Sequence, residues 1–149
     1  MKTSELMKNK IKSYEKLRLH AYDDNGRAPG GTITIGWGHT GDVKLGDTLK
    51  SQAEADALFE KDIAKCEAGI DRLVTVCLTQ GQFDAIVDFI FNMGEGALRG
   101  STFLRYVNAG RHKDAANQLP RWVYAFGKVN QTLVERRNFA AALYNGGPL

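Results

Sequence analysis

Among its 149 residues the sequence has only two cysteines, three prolines and three histidines. Cys66 and Cys77 stand eleven positions apart, in neither a CxxC arrangement nor a zinc-ligand spacing, so no metal-stapled framework is indicated. Both fall in apolar surroundings, which suits buried free thiols acting as small hydrophobes. His20, His39 and His112 are too dispersed to suggest a metal cluster, and nothing points to a cofactor. No low-complexity linker, internal repeat or long apolar run is present. The opening residues Met1 to Lys8 carry charge without a following hydrophobic stretch, so neither a secretory leader nor a membrane anchor is expected. Cytoplasmic synthesis follows as the expected localisation.

A large excess of one charge is also missing. Twenty basic and seventeen acidic residues leave a net charge of +3, and the basic ones are scattered apart from Arg136-Arg137. A dedicated nucleic-acid binder carries a denser basic stripe with interleaved aromatics, so nucleic acid is not expected as a partner. The weak positive balance suits an anionic polymer or surface. With 43% hydrophobic and 25% charged residues, the chain has the composition of one self-folding domain.

The periodicities divide that domain. Met7, Ile11 and Tyr14 share one helical face, which predicts a first helix over 3–15. From Leu17 the apolar period falls to two, and Asp23-Asp24-Asn25-Gly26 with Pro29-Gly30-Gly31 signals a turn. The β-branched run Thr32-Ile33-Thr34-Ile35 returns as a second strand, so residues 17 to about 47 read as a small sheet lobe. Ser51-Gln52-Ala53-Glu54 has the form of a capping box. It opens a connecting helix over about 51–73, roughly 33 Å long at 1.5 Å per residue.

A helical lobe over 74–149 completes the chain. Thr79-Gln80-Gly81-Gln82 offers another box, followed by a buried-helix pattern in Phe83, Ile86, Val87, Ile90 and Phe91. Further helices are predicted over 102–109, 112–119 and from Thr132 to about Tyr144. The fold class is α+β, a small antiparallel β lobe and a larger helical lobe joined by a long helix, with the ligand cleft between them.

Glu15 is the leading chemical candidate. It closes a helix, where the negative end of the macrodipole disfavours its ionised form, and Tyr14 and Leu17 add desolvation. Both effects push a carboxyl towards general-acid duty. Asp24, nine residues on, sits at a hairpin tip, and Thr34 on the opposing strand faces it. Taken singly, these residues are a surface glutamate, a turn former and a strand residue. Two oxygen acids on one cleft are the minimum equipment for glycoside hydrolysis. Gly36-Trp37-Gly38-His39-Thr40-Gly41 matches GxGxxG literally, but no helix follows it, so nucleotide binding is set aside.

Glu15-Lys16-Leu17-Arg18-Leu19-His20-Ala21-Tyr22-Asp23-Asp24, then Thr34-Ile35-Gly36-Trp37-Gly38-His39-Thr40-Gly41, resembles the signature of phage-type lysozymes, the endolysins of glycoside hydrolase family 24. The likeness continues through Leu78 to Ala85, Phe91-Asn92-Met93-Gly94-Glu95, Gly100-Ser101-Thr102 and Pro120-Arg121-Trp122. It implies a lysozyme-like fold and hydrolysis of the β-1,4 bond between N-acetylmuramic acid and N-acetylglucosamine in peptidoglycan. Glu15 is then the general acid, with Asp24 and Thr34 positioning the attacking water and the anomeric carbon inverting. The resemblance makes His39 mainly a structural residue beside the site. It places His39, Thr40, Phe91, Asn92 and Phe103 near sugar-contacting positions, and Arg136 or Arg137 within reach of Glu15. It also implies a monomer that depends on a holin for access to the wall.

Two departures stand out. The Asp24–Thr34 separation is about four residues longer than usual, an insertion at Asn25 to Gly31, and Lys16 stands where many relatives carry glycine. The other readings of the same residues are a catalytically inactive wall-binding relative and a lytic transglycosylase.

Overall fold

The computed structural model describes residues 1–24 and 32–147. The expected insertion at 25–31 therefore lies outside the described residues. Helix α1 spans Glu5–Glu15, followed by strands β1 (Arg18–Asp23) and β2 (Ile33–Gly36) and the long helix α2 (Gln52–Leu73). Helices α3 (Gln80–Met93), α4 (Glu95–Arg99), α5 (Thr102–Asn108) and α6 (His112–Gln118) follow. A short 3-10 turn, Leu119–Arg121, leads into β3 (Tyr124–Ala125), β4 (Lys128–Val129) and α7 (Gln131–Tyr144). The expected α+β architecture is present. Among the described residues no helix is long and apolar enough to cross a membrane.

Helix α3 is the centre of the core. It is buried from Phe83 through Ile90 on every side, as a helix packed all round by neighbours must be. Phe89 meets Phe103 at 5.5 Å between ring centroids and Trp122 edge-on at 5.0 Å. Met7 and Ile11 of α1 and Phe59, Ile63 and Ile70 of α2 join the same cluster, so the two helices flanking the sheet are anchored in the helical lobe.

The helix ends follow from capping chemistry. The box at Thr79 is complete, with the Thr79 side chain accepting from the Gln82 amide and the Gln82 side chain accepting from the Thr79 amide. The expected box at Ser51 is only half formed. Ser51 accepts from the Glu54 amide, but the Glu54 carboxylate turns to the Lys50 amide at 2.6 Å. Helix α7 begins earlier than Thr132, because the Asn130 side chain accepts from the Leu133 amide. Helix α4 and the β3–β4 hairpin are additions to the sequence reading. Gly94 and Gly100 bound one helical turn and a fraction, too short for a period to register.

The β lobe is small. β1 and β2 pair antiparallel, with Tyr22 opposite Thr34 and Asp23 opposite Ile33. The Asp24 amide extends the ladder by donating to the Thr32 carbonyl at 2.8 Å. Between Arg18 and Tyr22 the register shifts, so β1 holds extra residues and bends.

Of the two thiols expected to be buried, only Cys66 is. Cys77 is exposed, because residues 74–79 form the link between α2 and α3 rather than a packed run.

Candidate active site

Glu15 is the last residue of α1, and the chain turns there sharply enough to start a strand three residues later. Lys16 makes the turn with φ +56°, a left-handed backbone that side chains disfavour, which accounts for glycine being the usual residue at this point. The turn leaves the Glu15 side chain 17% exposed.

Both carboxylate oxygens have defined neighbours. Arg136 Nη1 donates to Oε1 at 3.0 Å. On the Oε2 side the backbone of Gly38 is so close that a Cβ there would fall 2.6 Å from that oxygen. Gly38 has φ +79° as well, so glycine is required twice over. The field of the α1 C-terminus therefore meets a fixed cation, and Glu15 is an oriented acid rather than a free surface charge.

Arg136 is held in turn. It is fully buried, donates through Nε to Asp88 Oδ1 at 2.8 Å, and lies 4.6 Å over the Tyr14 ring. Burial alone would lower its proton affinity, but Asp88 and Glu15 outweigh burial and raise it. Asp88, 1% exposed on α3, also receives Arg137 Nη1 at 3.5 Å. Arg137 reaches on to the Trp122 carbonyl and to Asn92 Oδ1. Glu15, Arg136, Asp88 and Arg137 thus form a chain of alternating charge, and Asn92 closes it. Such a chain fixes geometry more than it adds stability, since each buried charge offsets the desolvation of the next.

Asp24 and Thr34 are 6% and 2% exposed. Because Tyr22 pairs with Thr34 and side chains alternate, Asp24 and Thr34 fall on the same face of the sheet as diagonal neighbours. The Thr34 hydroxyl donates to the Thr32 carbonyl at 3.1 Å, which fixes its rotamer.

His39 is buried and bracketed by carboxylates. Nδ1 lies 2.8 Å from Asp62 of α2, and Nε2 lies 2.5 Å from Asp42 in its own loop. The imidazole thus pins the loop that carries Gly38 to α2. Burial raises the Asp62 carboxyl above its ordinary value, while the hydrogen bond from His39 lowers that of exposed Asp42. His39 is thereby fixed between its own loop and α2, and it is not among the residues lining the neighbouring cavity.

A cavity of about 450 Å³ opens beside these groups, lined by Gly38, Thr40, Asp62, Lys65, Phe91 and Glu95 among others. Thr40 and Phe91 are among its lining residues. The Asn92 side chain accepts from Arg137. Phe103 is a correction: it is 0% exposed, packed between Phe89 and Tyr144 in the core, and has no surface to offer a sugar.

Sequence reading missed Asp88, Gly38 and the two partners of His39. A signal existed for the first. Asp84 and Asp88 are acids four residues apart inside a run that is otherwise wholly apolar, and a buried acid needs cations or donors. Asp84 finds the Ser4 hydroxyl at 2.5 Å and the Ser4 amide at 3.1 Å, which ties α1 to α3.

The sequence profile of the phage lysozymes matches residues 12–139, nearly the whole chain. The chain belongs to the phage lysozyme family. It is 40% identical over 139 residues to an endolysin of Bacillus phage B103, covering 93% of this chain and 52% of that protein. The chain spans about half the length of the Bacillus phage endolysins it matches. The crystal structure of a P22 lysozyme variant is 36% identical, with a TM-score of 0.78 over 97% of this chain and 99% of that one. The muramidase domain of SpmX from Asticaccaulis excentricus is also 36% identical, with a TM-score of 0.82 over 96% and 97%. These likenesses establish for this chain the lysozyme-like fold that the resemblance implied.

Proposed function

We propose that this phage lysozyme is an endolysin that hydrolyses the β-1,4 bond between N-acetylmuramic acid and N-acetylglucosamine in bacterial peptidoglycan. The observation that carries the reading is the setting of Glu15. One carboxylate oxygen is held by buried Arg136 and the other abuts Gly38, a residue that also lines the cavity. A surface glutamate has no need of a buried arginine and a glycine behind it.

In this mechanism Glu15 delivers its proton to the glycosidic oxygen as the bond breaks. The carboxylate left behind is stabilised by Arg136 3.0 Å away, a gain made during the reaction rather than before it. Asp24 and Thr34, on one face of the sheet, position the water that attacks the anomeric carbon from the opposite side. Asp24 also offsets positive charge developing on the ring. The product is a reducing N-acetylmuramic acid end with inverted configuration. Thr40 and Phe91 contact the glycan along the cavity. The protein acts as a monomer, and a holin that opens the membrane belongs to the same proposal because the substrate lies beyond the bilayer.

Digestion of purified peptidoglycan with end-group mass spectrometry tests the reading. Reducing N-acetylmuramic acid ends, appearing first as the inverted anomer by NMR, are the expected products. Anhydro ends would make the protein a lytic transglycosylase. Binding without any cleavage would make it a wall-binding relative.

A further inference from the structure

The cavity beside Gly38 runs along one face of α2. Asp62, Lys65, Gly69 and Arg72 recur at steps of three and four residues, so they share that face. Asp62, Lys65 and Arg72 line the cavity. At Gly69 the wall meets Glu95 of α4, so closely that a Cβ there would lie 2.6 Å from Glu95 Oε1.

Both acids lining the cavity are already engaged. Asp62 turns its two carboxylate oxygens to His39 Nδ1, at 2.8 and 2.9 Å. Glu95 accepts from Arg72 through Oε1 and from Arg99 Nη2 through Oε2, the latter at 2.8 Å. Arg72 and Arg99 thus share one carboxylate, and this end of the cavity carries excess positive charge. Lys65 is the part of that excess with no protein partner. It is exposed on the cavity wall, and among the described residues its side chain makes no hydrogen bond or ion pair.

The ligand proposed for this cavity is a glycan whose sugar rings carry no charge. Its anions lie on the muramyl side arm, as the lactyl carboxylate when the arm is bare or as the carboxylates of an attached stem peptide. A long flexible ammonium with three donors suits such a mobile anion better than it suits a neutral ring. We propose that Lys65 is a specificity-determining residue that binds a carboxylate of the muramyl side arm, so that the cavity selects muramyl glycans over uncharged ones. This rests on the peptidoglycan reading above and adds the group that recognises the arm.

Dissociation constants measured on the Glu15→Gln protein, which leaves the ligand intact, test it. Three soluble ligands of equal length serve as probes: peptide-bearing muramyl glycan, the same glycan stripped by an amidase to free lactyl carboxylates, and a chito-oligosaccharide without the arm. Adding Lys65→Gln should weaken binding of the peptide-bearing glycan by about fivefold and leave the chito-oligosaccharide unchanged. A similar loss on the stripped glycan would identify the lactyl carboxylate, and no loss there the stem peptide. Lys65→Arg should retain most of the affinity, and added salt should shrink the Lys65→Gln effect. Glutamine is a good helix former at this exposed position, so the thermal midpoint should stay within a degree or so of the parent. No Lys65→Gln effect on either muramyl ligand, an equal loss on all three ligands, or failure to bind the muramyl ligands would overturn the proposal. Cleavage of peptidoglycan by wild type is read separately. Reducing ends without a Lys65 effect would leave the proposed reaction standing and sink this inference, and a Lys65 effect without cleavage would do the reverse.

Discussion

Gly38 presses against Glu15 so closely that a single methyl group on its backbone would lie 2.6 Å from Oε2 and 2.9 Å from Cδ of the carboxyl. Two segments from opposite sides of the hairpin loop thus share one constraint, which sets where the acid can point. Gly38→Ala is expected to displace the carboxylate and lower activity by about a hundredfold, the loss that follows a misplacement of roughly 1 Å. The left-handed backbone adds about 1–2 kcal/mol of destabilisation. A peptidoglycan turbidity assay and a thermal melt read the two effects, and unchanged activity would separate Gly38 from the site.

Asp88 is the shared counter-ion of two buried arginines. Asp88→Asn keeps the volume and removes the charge, leaving both guanidinium groups undercompensated. The expected loss is about 3–5 kcal/mol in urea unfolding. Activity of the folded fraction should also fall, because Arg136 loses the contact that aims it at Glu15. A loss below about 1 kcal/mol would show that the arginines do not need this acid.

Lys16 offers the opposite case. Its φ of +56° is forced by the turn after Glu15, so Lys16→Gly should stabilise the fold by about 1 kcal/mol while preserving activity. A lowered thermal midpoint would contradict the strain argument.

Glu67 anchors the N-terminus by accepting from the Thr3 amide at 2.7 Å and the Thr3 hydroxyl at 2.8 Å. Burial alone would raise this carboxyl, but the two Thr3 bonds together with the charges of Lys2 and Lys8 outweigh it and hold it below its ordinary value of 4.5. A depressed folded-state value means the contribution is fully present above 4.5 and is lost as pH falls through the lower value. Thermal midpoints measured from about pH 6 down to about pH 2 should therefore decline less steeply in Glu67→Gln than in wild type. Equal slopes would show that the Thr3 contacts do not favour the ionised form.

How much of this was legible in the sequence depends on the distance over which each signal acts. Element types and most boundaries were readable, because apolar period and caps are local: α2 falls within a residue of its expected limits, and α3 opens at the expected box. Cys77 was misjudged because apolar neighbours in sequence do not say which side of a chain meets the core, and Phe103 because a resemblance carries over a position without the direction of its side chain. The site was legible in its parts and not in its wiring. Arg136 was within reach of Glu15 by resemblance, but the choice between Arg136 and Arg137 depends on Asp88 and Asn92, set by how α7 crosses α3. Likewise Asp42 and Asp62 close on His39 from a loop and a helix 20 residues apart in sequence, a pairing no local pattern encodes.

The most direct measurement compares wild type with Glu15→Gln on purified peptidoglycan, with product ends identified by mass spectrometry. The account predicts reducing N-acetylmuramic acid ends from wild type and none above background from the variant, with both proteins folded by circular dichroism. Equal release of reducing ends by the two proteins would contradict it and place the acid elsewhere.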